Sequence, residues 1–221
     1  MTESRNYDLR DFDVVDVATG VRAIVTTGGD YSVRVEAHPT ILERIDVSVA
    51  GGRLHIGIGR GVLDFVFGGG LIELLKHNGD FGITAYVTLP VLNGAEASSG
   101  ARVEASNVKS DRFHSAASSG ARLTLLGVSG GIFRAEASSG GQIEIEGAVA
   151  EFDAGASSGG HIRADRLIAA GGRLDASSGG HIETNVTTRV RATASSGGHV
   201  RVDGNPTDRD INTSSGGHVA I

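Results

Sequence analysis

From residue 91 onward, apolar and polar residues alternate in short runs that restart at nearly fixed intervals. The punctuation is Ser-Ser-Gly, beginning at Ser98, Ser118, Ser138, Ser157, Ser177, Ser195 and Ser214, with successive gaps of 20, 20, 19, 20, 18 and 19 residues. A short, regular period marks an architecture in which each repeat is completed by its neighbour. Counted back from the first Ser, three columns share one parity. They are Phe113, Phe133, Phe152 and Val190 (with Gly172 the exception), then Ala95, Ala135, Ala154, Leu174, Ala192 and Ile211 (with Ser115 the exception), then Ala97 through Ala194 and Thr213. The columns between them are polar, among them Arg134, Asp153, Arg173, Arg191 and Asp210. Residues of one parity share one side of a strand, so this is a half-buried strand.

After the corner the alternation resumes. Val103, Leu123, Ile143, Ile162, Ile182, Val200 and Val219 stand five residues past the first Ser. Ala105, Leu125, Ile145, Ala164, Thr184, Val202 and Ile221 stand seven past it. A looser third side is expected around Val108, Leu126, Val149, Leu167 and Val186. About three short strands per repeat describe a narrow all-β, single-stranded parallel β-helix, a solenoid with rungs about 4.8 Å apart. Abundant Gly and β-branched residues disfavour helix within the repeats. Stacking turns equivalent positions into ladders, and one outward ladder, Glu144, Arg163, Glu183, Arg201, alternates in sign.

The chain 1–221 reads as a single β-helix domain, with 91–221 the regular repeats and 1–90 irregular. Strands are expected at Phe12–Val17, Val21–Thr26, Tyr31–Glu36, Ile45–Val49, Leu54–Ile58 and Thr84–Pro90. Lacking Ser-Ser-Gly, this part should be irregular first rungs or a cap, because an open solenoid end is an unpaired strand edge. An apolar insertion at 60–80 interrupts it. It reads either as a loop completing the core or as a partner-binding patch carrying Phe65, Phe67, Leu71, Leu74 and Leu75. The last repeat stops at Ile221, so its edge is expected to be protected by a partner or by homo-oligomerisation, through the β-helix ends or the apolar insertion.

Composition narrows the function. With 34 Gly among 221 residues, 3 Pro and 39% hydrophobic residues, the chain is neither collagenous nor disordered. A net charge of −6 with few aromatics disfavours nucleic acid. The absence of Cys removes disulfides and thiolate metal sites. No apolar run is long enough for a transmembrane segment. The polar start, Met1–Arg10, shows no signal peptide, which leaves a cytoplasmic location open.

Candidate chemistry is sparse. His161, His181, His199 and His218 fill one outward column, and imidazoles in a row could share a metal ion. Stacked equivalents should project in parallel, whereas zinc needs converging ligands, so a solvated ladder is the simpler account. Seven equivalent Ser argue against a single activated nucleophile, and hydroxyls satisfying the corner backbone explain them better. Neither a phosphate loop nor a dinucleotide site has its required context. No catalytic residue and no cofactor is assigned.

The order of segments resembles a bacterial family, the head GIN domain of "putative autotransporter adhesins", a domain of unknown function. The resemblance rests on Phe12-Asp-Val-Val-Asp-Val17, Gly20-Val-Arg-Ala-Ile-Val25, Gly52-Arg-Leu-His-Ile56, Tyr86-Val-Thr-Leu-Pro90, the recurring Ser/Gly corners and Gly204-Asn-Pro206. It implies a right-handed parallel β-helix at the periplasm or cell surface, with no catalytic residues to carry over. The expected function is a non-enzymatic structural or interaction module of the bacterial envelope, engaging an unknown protein or glycan. A carbohydrate-active β-helix enzyme and a self-assembling solenoid scaffold are the alternatives.

Overall fold

A computed structural model describes residues 2–59 and 82–221. Its first part comprises β1 (Glu3–Tyr7), β2 (Val14–Val17), β3 (Arg22–Thr27), β4 (Ser32–Ala37), a one-turn helix α1 (Pro39–Leu42), β5 (Ile45–Ala50), β6 (Arg53–Ile58) and β7 (Thr84–Leu89). The repeats follow as β8 (Gly94–Ala97), β9 (Arg102–Ser106), β10 (Lys109–Ala117), β11 (Arg122–Ala137), β12 (Gln142–Ala156), β13 (His161–Ala176), β14 (His181–Ala194), β15 (His199–Asp203), β16 (Asp208–Thr213) and β17 (His218–Ala220). From β8 onward every pairing is parallel and joins equivalent residues of successive rungs, for example Phe113 with Phe133 and Phe133 with Phe152. The architecture is the expected all-β parallel solenoid.

Backbone geometry makes the corner. At all seven Ser-Ser-Gly sites the second Ser has φ of 48–52° and the Gly 72–76°. The residue after Gly donates its N–H to the carbonyl of the first Ser, as in Gly180 to Ser177 at 2.8 Å. Two consecutive left-handed residues closed by such a bond form a type I′ turn. Gly adopts this φ freely, whereas Ser there costs on the order of 1–2 kcal/mol. What offsets that cost is a second set of bonds between corners. Gly100 N–H donates to Ser119 C=O (3.1 Å) and Ser118 N–H to Ala97 C=O (3.0 Å), and the pattern repeats down the stack. The corner backbone is thus satisfied by backbone, not by the hydroxyls that the sequence suggested.

The fourth corner residue is Ala101 or Ala121 in the first two repeats and Gly in the next five. The closing bond is 3.1 and 3.0 Å with Ala and 2.8 Å with Gly. A Cβ at Gly180 would lie 2.2 Å from the carbonyl oxygen of Ala156 in the preceding rung. The tighter corner therefore requires glycine at this step.

Inward columns are buried as the alternation requires, and Phe113 stacks on Phe133 with centroids 4.3 Å apart. Gly172 leaves its place in the Phe column to the neighbouring Val186, whose Cγ2 lies 2.8 Å from where a Cβ would be. Ser115, fully buried, donates its hydroxyl to the Arg134 carbonyl at 3.1 Å. The third side needs one correction. Val108, Val149, Leu167 and Val186 are buried, but Leu126 is exposed and Val128 takes the inward place. Gly127, at φ 64°, and a register shift between Leu125 and Val128 reverse the parity there. In the last rung Ile211 and Ile221 are 46% and 40% exposed.

The N-terminal part combines rungs with a cap. β2 and β3 form a rung whose corner, Ala18-Thr19-Gly20, has the same left-handed pair (φ 57° and 68°) and stacks on Ser98–Gly100. This rung lies between two later ones, since β2 pairs with β6 and β8, and β3 with β7 and β9, all in parallel. Outside them the sheet turns antiparallel. β5 closes on β6 through the Gly51-Gly52 hairpin, while β4 covers β7 and the polar β1 forms the edge. A charged, polar edge blunts further strand addition.

Gly180→Ala is expected to destabilise the fold by about 2 kcal/mol or more through overlap with the rung beneath. Ala121→Gly, at a corner already open enough for a methyl, should cost only about 1 kcal/mol. Urea unfolding of both variants measures this, and equal effects would mean that the two corners do not differ.

Candidate functional site

The solenoid carries its chemistry on two outward strips. The first follows the corner. His161, His181, His199 and His218 open their strands in strict register. Backbone bonds hold the column, with each His N–H donating at 2.9 Å to the glycine carbonyl of the rung before. The rings are not parallel copies, however. Successive centroids are 4.7, 6.1 and 6.1 Å apart and the planes tilt by 39°, 33° and 39°. Two residues beyond His161, His181 and His199, on the same side of the strand, stand Arg163, Glu183 and Arg201 of the alternating charge column. Glu183 reaches back from it, and its Oε1 lies 3.1 Å from Nε2 of His181. Its Oε2 lies 3.7 Å from Arg163 Nε.

His161, His181 and Glu183 therefore converge, each offering one ligand atom within 4.8 Å of the others. Nε2 of His161 is buried and has no hydrogen-bond partner. The tilted rings depart from the parallel projection expected of stacked equivalents. Glu183 belongs to a neighbouring column, and the strand period of two places it beside His181. The rest of the charge alternation is only partly realised as ion pairs. Glu144 pairs with Arg166 (2.5 Å) and Arg201 with Asp203 (3.3 Å).

Electrostatics follow from this packing. Burial holds His161 below its ordinary pKa of 6.5, with the nearby His181 and Arg163 acting in the same direction and Glu183 opposing them. For Glu183, burial works to raise the pKa. The hydrogen bond from His181 and the charges of His181, His161 and Arg163 outweigh it and leave the carboxyl below its ordinary 4.5.

The second strip lies before the corner, where sequence reading saw only polar alternation. Arg134, Asp153, Arg173, Arg191 and Asp210 stack there. Gly155, standing between Glu136 and Asp175, opens a hollow of about 490 Å³. A second hollow of about 510 Å³ adjoins it and shares Asp153 and Arg173. Arg134 pairs with Asp153 (3.2 Å), Arg191 with Asp210 (2.6 Å) and Arg189 with Glu151. Arg173 is exposed and pairs with no carboxylate among the described residues. The missing side chain at Gly155 was visible in the sequence, but its consequence needed the register.

Phe65, Phe67, Leu71, Leu74 and Leu75 lie outside the described residues. In the sequence they fall between β6 and β7. In the adjacent rung four residues, Ala18–Val21, make the same connection between β2 and β3.

Fold and surfaces together define a β-solenoid whose outward faces are open arrays of ladders. The chain belongs to the family described as "putative auto-transporter adhesin, head GIN domain", which matches residues 11–206. Among solved structures it is similar to a "putative adhesin" from Bacteroides fragilis, at 18% identity and a TM-score of 0.82, over 100% of this chain and 96% of that one. A "putative adhesin" from Parabacteroides distasonis gives 15% identity and 0.64, over 97% and 95%. A "putative lipid binding protein" from the same species gives 14% and 0.60, over 99% and 96%. At such identities the likeness is one of fold. No curated protein matches the sequence. Among the described residues no helix is long and apolar enough to cross a membrane.

The two shifts carry a pH signature. A His held below 6.5 stays neutral while its unfolded counterpart takes up a proton, so its stabilisation is lost as pH falls through 6.5 towards the folded value. The Glu183 contribution is present above 4.5 and is lost as pH falls through its lowered folded pKa. NMR titration should place the His161 midpoint below 6.5. In His181→Ala both the His161 and Glu183 midpoints should move up. A His161 midpoint at or above the ordinary value would contradict this packing.

Proposed function

We propose that this chain is a non-enzymatic, adhesin-like interaction module of the bacterial envelope that engages an extended polar glycan along the strip before the corner. The observation that carries this reading is the continuity of that strip. From Arg134 to Asp210 it spans four rung intervals, about 19 Å at 4.8 Å each. It combines three cationic donors with two carboxylate acceptors, and Arg173, stacked between Asp153 and Arg191, remains without a carboxylate partner among the described residues. A linear polymer with repeating hydroxyl and carboxylate groups meets such an array at several points, and each added contact multiplies affinity. Membership of an adhesin-like family supports placement at the cell surface or envelope.

The carbohydrate-active alternative would draw on Glu136 and Asp175, which flank Gly155 in the hollow. Both are exposed to solvent, without the water-excluding enclosure that acid–base catalysis exploits. Glu151, Asp153 and Asp210 are each tied to an Arg. These features favour binding over turnover.

A panel of soluble acidic and neutral bacterial polysaccharides tests the reading. Binding to an acidic member is expected, with a loss of about tenfold in Arg173→Glu, worth 1.4 kcal/mol. Binding unaffected by Arg173→Glu would remove the groove from the account. Release of shortened glycan would replace the binding function with the enzymatic one.

A further inference from the structure

We infer that His161, His181 and Glu183 form a binding site for one divalent transition-metal ion, with zinc the best match to two imidazoles and a carboxylate. The inference is independent of the glycan strip, since these residues lie on the strand after the corner. Three features support it. Ligand atoms from two adjacent rungs already lie within 4.8 Å of one another. Zinc bonds of about 2.1 Å place tetrahedral ligand atoms about 3.4 Å apart, so modest side-chain rotation closes the site. Nε2 of His161 is buried without a hydrogen-bond partner, a cost that a metal bond would relieve.

The third feature is the frame. Backbone bonds from His161 to Gly141 and from His181 to Gly160, both 2.9 Å, hold the two imidazoles on neighbouring rungs. Arg163, 3.7 Å from the other oxygen of Glu183, steadies the carboxylate. Three protein ligands leave a fourth position for water or for a donor atom from a bound partner. His199, whose ring centroid is 6.1 Å from that of His181, and His218 continue the column but stand outside the converging set.

Calorimetric titration of the untagged full chain with zinc chloride tests the site. One equivalent should bind with a Kd below about 100 μM. The pair His161→Ala/His181→Ala should abolish binding, and Glu183→Gln should weaken it by about tenfold or more. The pair His199→Ala/His218→Ala should leave it intact. No binding up to about 1 mM would overturn the site. Equal loss in the His199/His218 pair, or full affinity in Glu183→Gln, would overturn it in favour of an undifferentiated histidine array. Imidazole nitrogen shifts of the unsubstituted protein give a reading that depends on no variant. Zinc must move His161 and His181 first, and shifts appearing first at His199 and His218 would contradict the assignment.

Discussion

The constraint on which everything else depends is a two-residue left-handed corner whose backbone groups are bonded to the corners above and below. Each corner on its own would be unfavourable, because Ser resists positive φ. Stacked, it becomes part of a hydrogen-bonded column as continuous as the strands it joins. Small interior residues follow from this. The Ala column ahead of each corner and the Gly that closes it lie where one backbone passes directly under another, and a Cβ at the closing Gly would strike a carbonyl oxygen. A rung held in this way cannot slip by one residue without turning its Phe, Ile and Leu outward.

The same register creates the surfaces. Because equivalent residues stack in line, a side chain repeated in sequence becomes a linear array about 4.8 Å apart. Both proposed sites arise from departures from repetition. Gly155 interrupts a column of larger polar side chains and opens a hollow. Glu183 follows His181 where Arg163 follows His161, and so brings a carboxylate to a pair of imidazoles. Exposed ion pairs such as Arg134 with Asp153 add little stability individually, about 0–1 kcal/mol. In the proposed reading, their role is to set the pattern of donors and acceptors that a glycan meets.

Much of the fold was legible in the residues, because alternation and period report directly on which side chains face inward. The three inward columns, the corner and the strands of the first part appear in the structure close to where the pattern put them. What stayed hidden was non-local or depended on backbone sign. The β2–β3 rung lies between rungs formed later in the chain, and no sequence period encodes that order. Its corner went unread because Ala18-Thr19-Gly20 lacks the repeated serines although it shares their geometry. Leu126 was misplaced because a single positive φ at Gly127 reversed the parity. The histidine column was legible, but its convergence with Glu183 depended on ring tilt, which a column alignment cannot show.

Amide hydrogen exchange at the corner glycines tests the central claim most directly. In an ordinary surface turn these N–H groups face water and exchange rapidly. Here Gly120, Gly140, Gly159 and Gly179 each donate to a serine carbonyl of the following rung. They are therefore expected to be protected as strongly as strand amides of the same rungs. Exchange of these glycines at unprotected rates, alongside protected strands, would show that the corners are passive connections and would contradict the account.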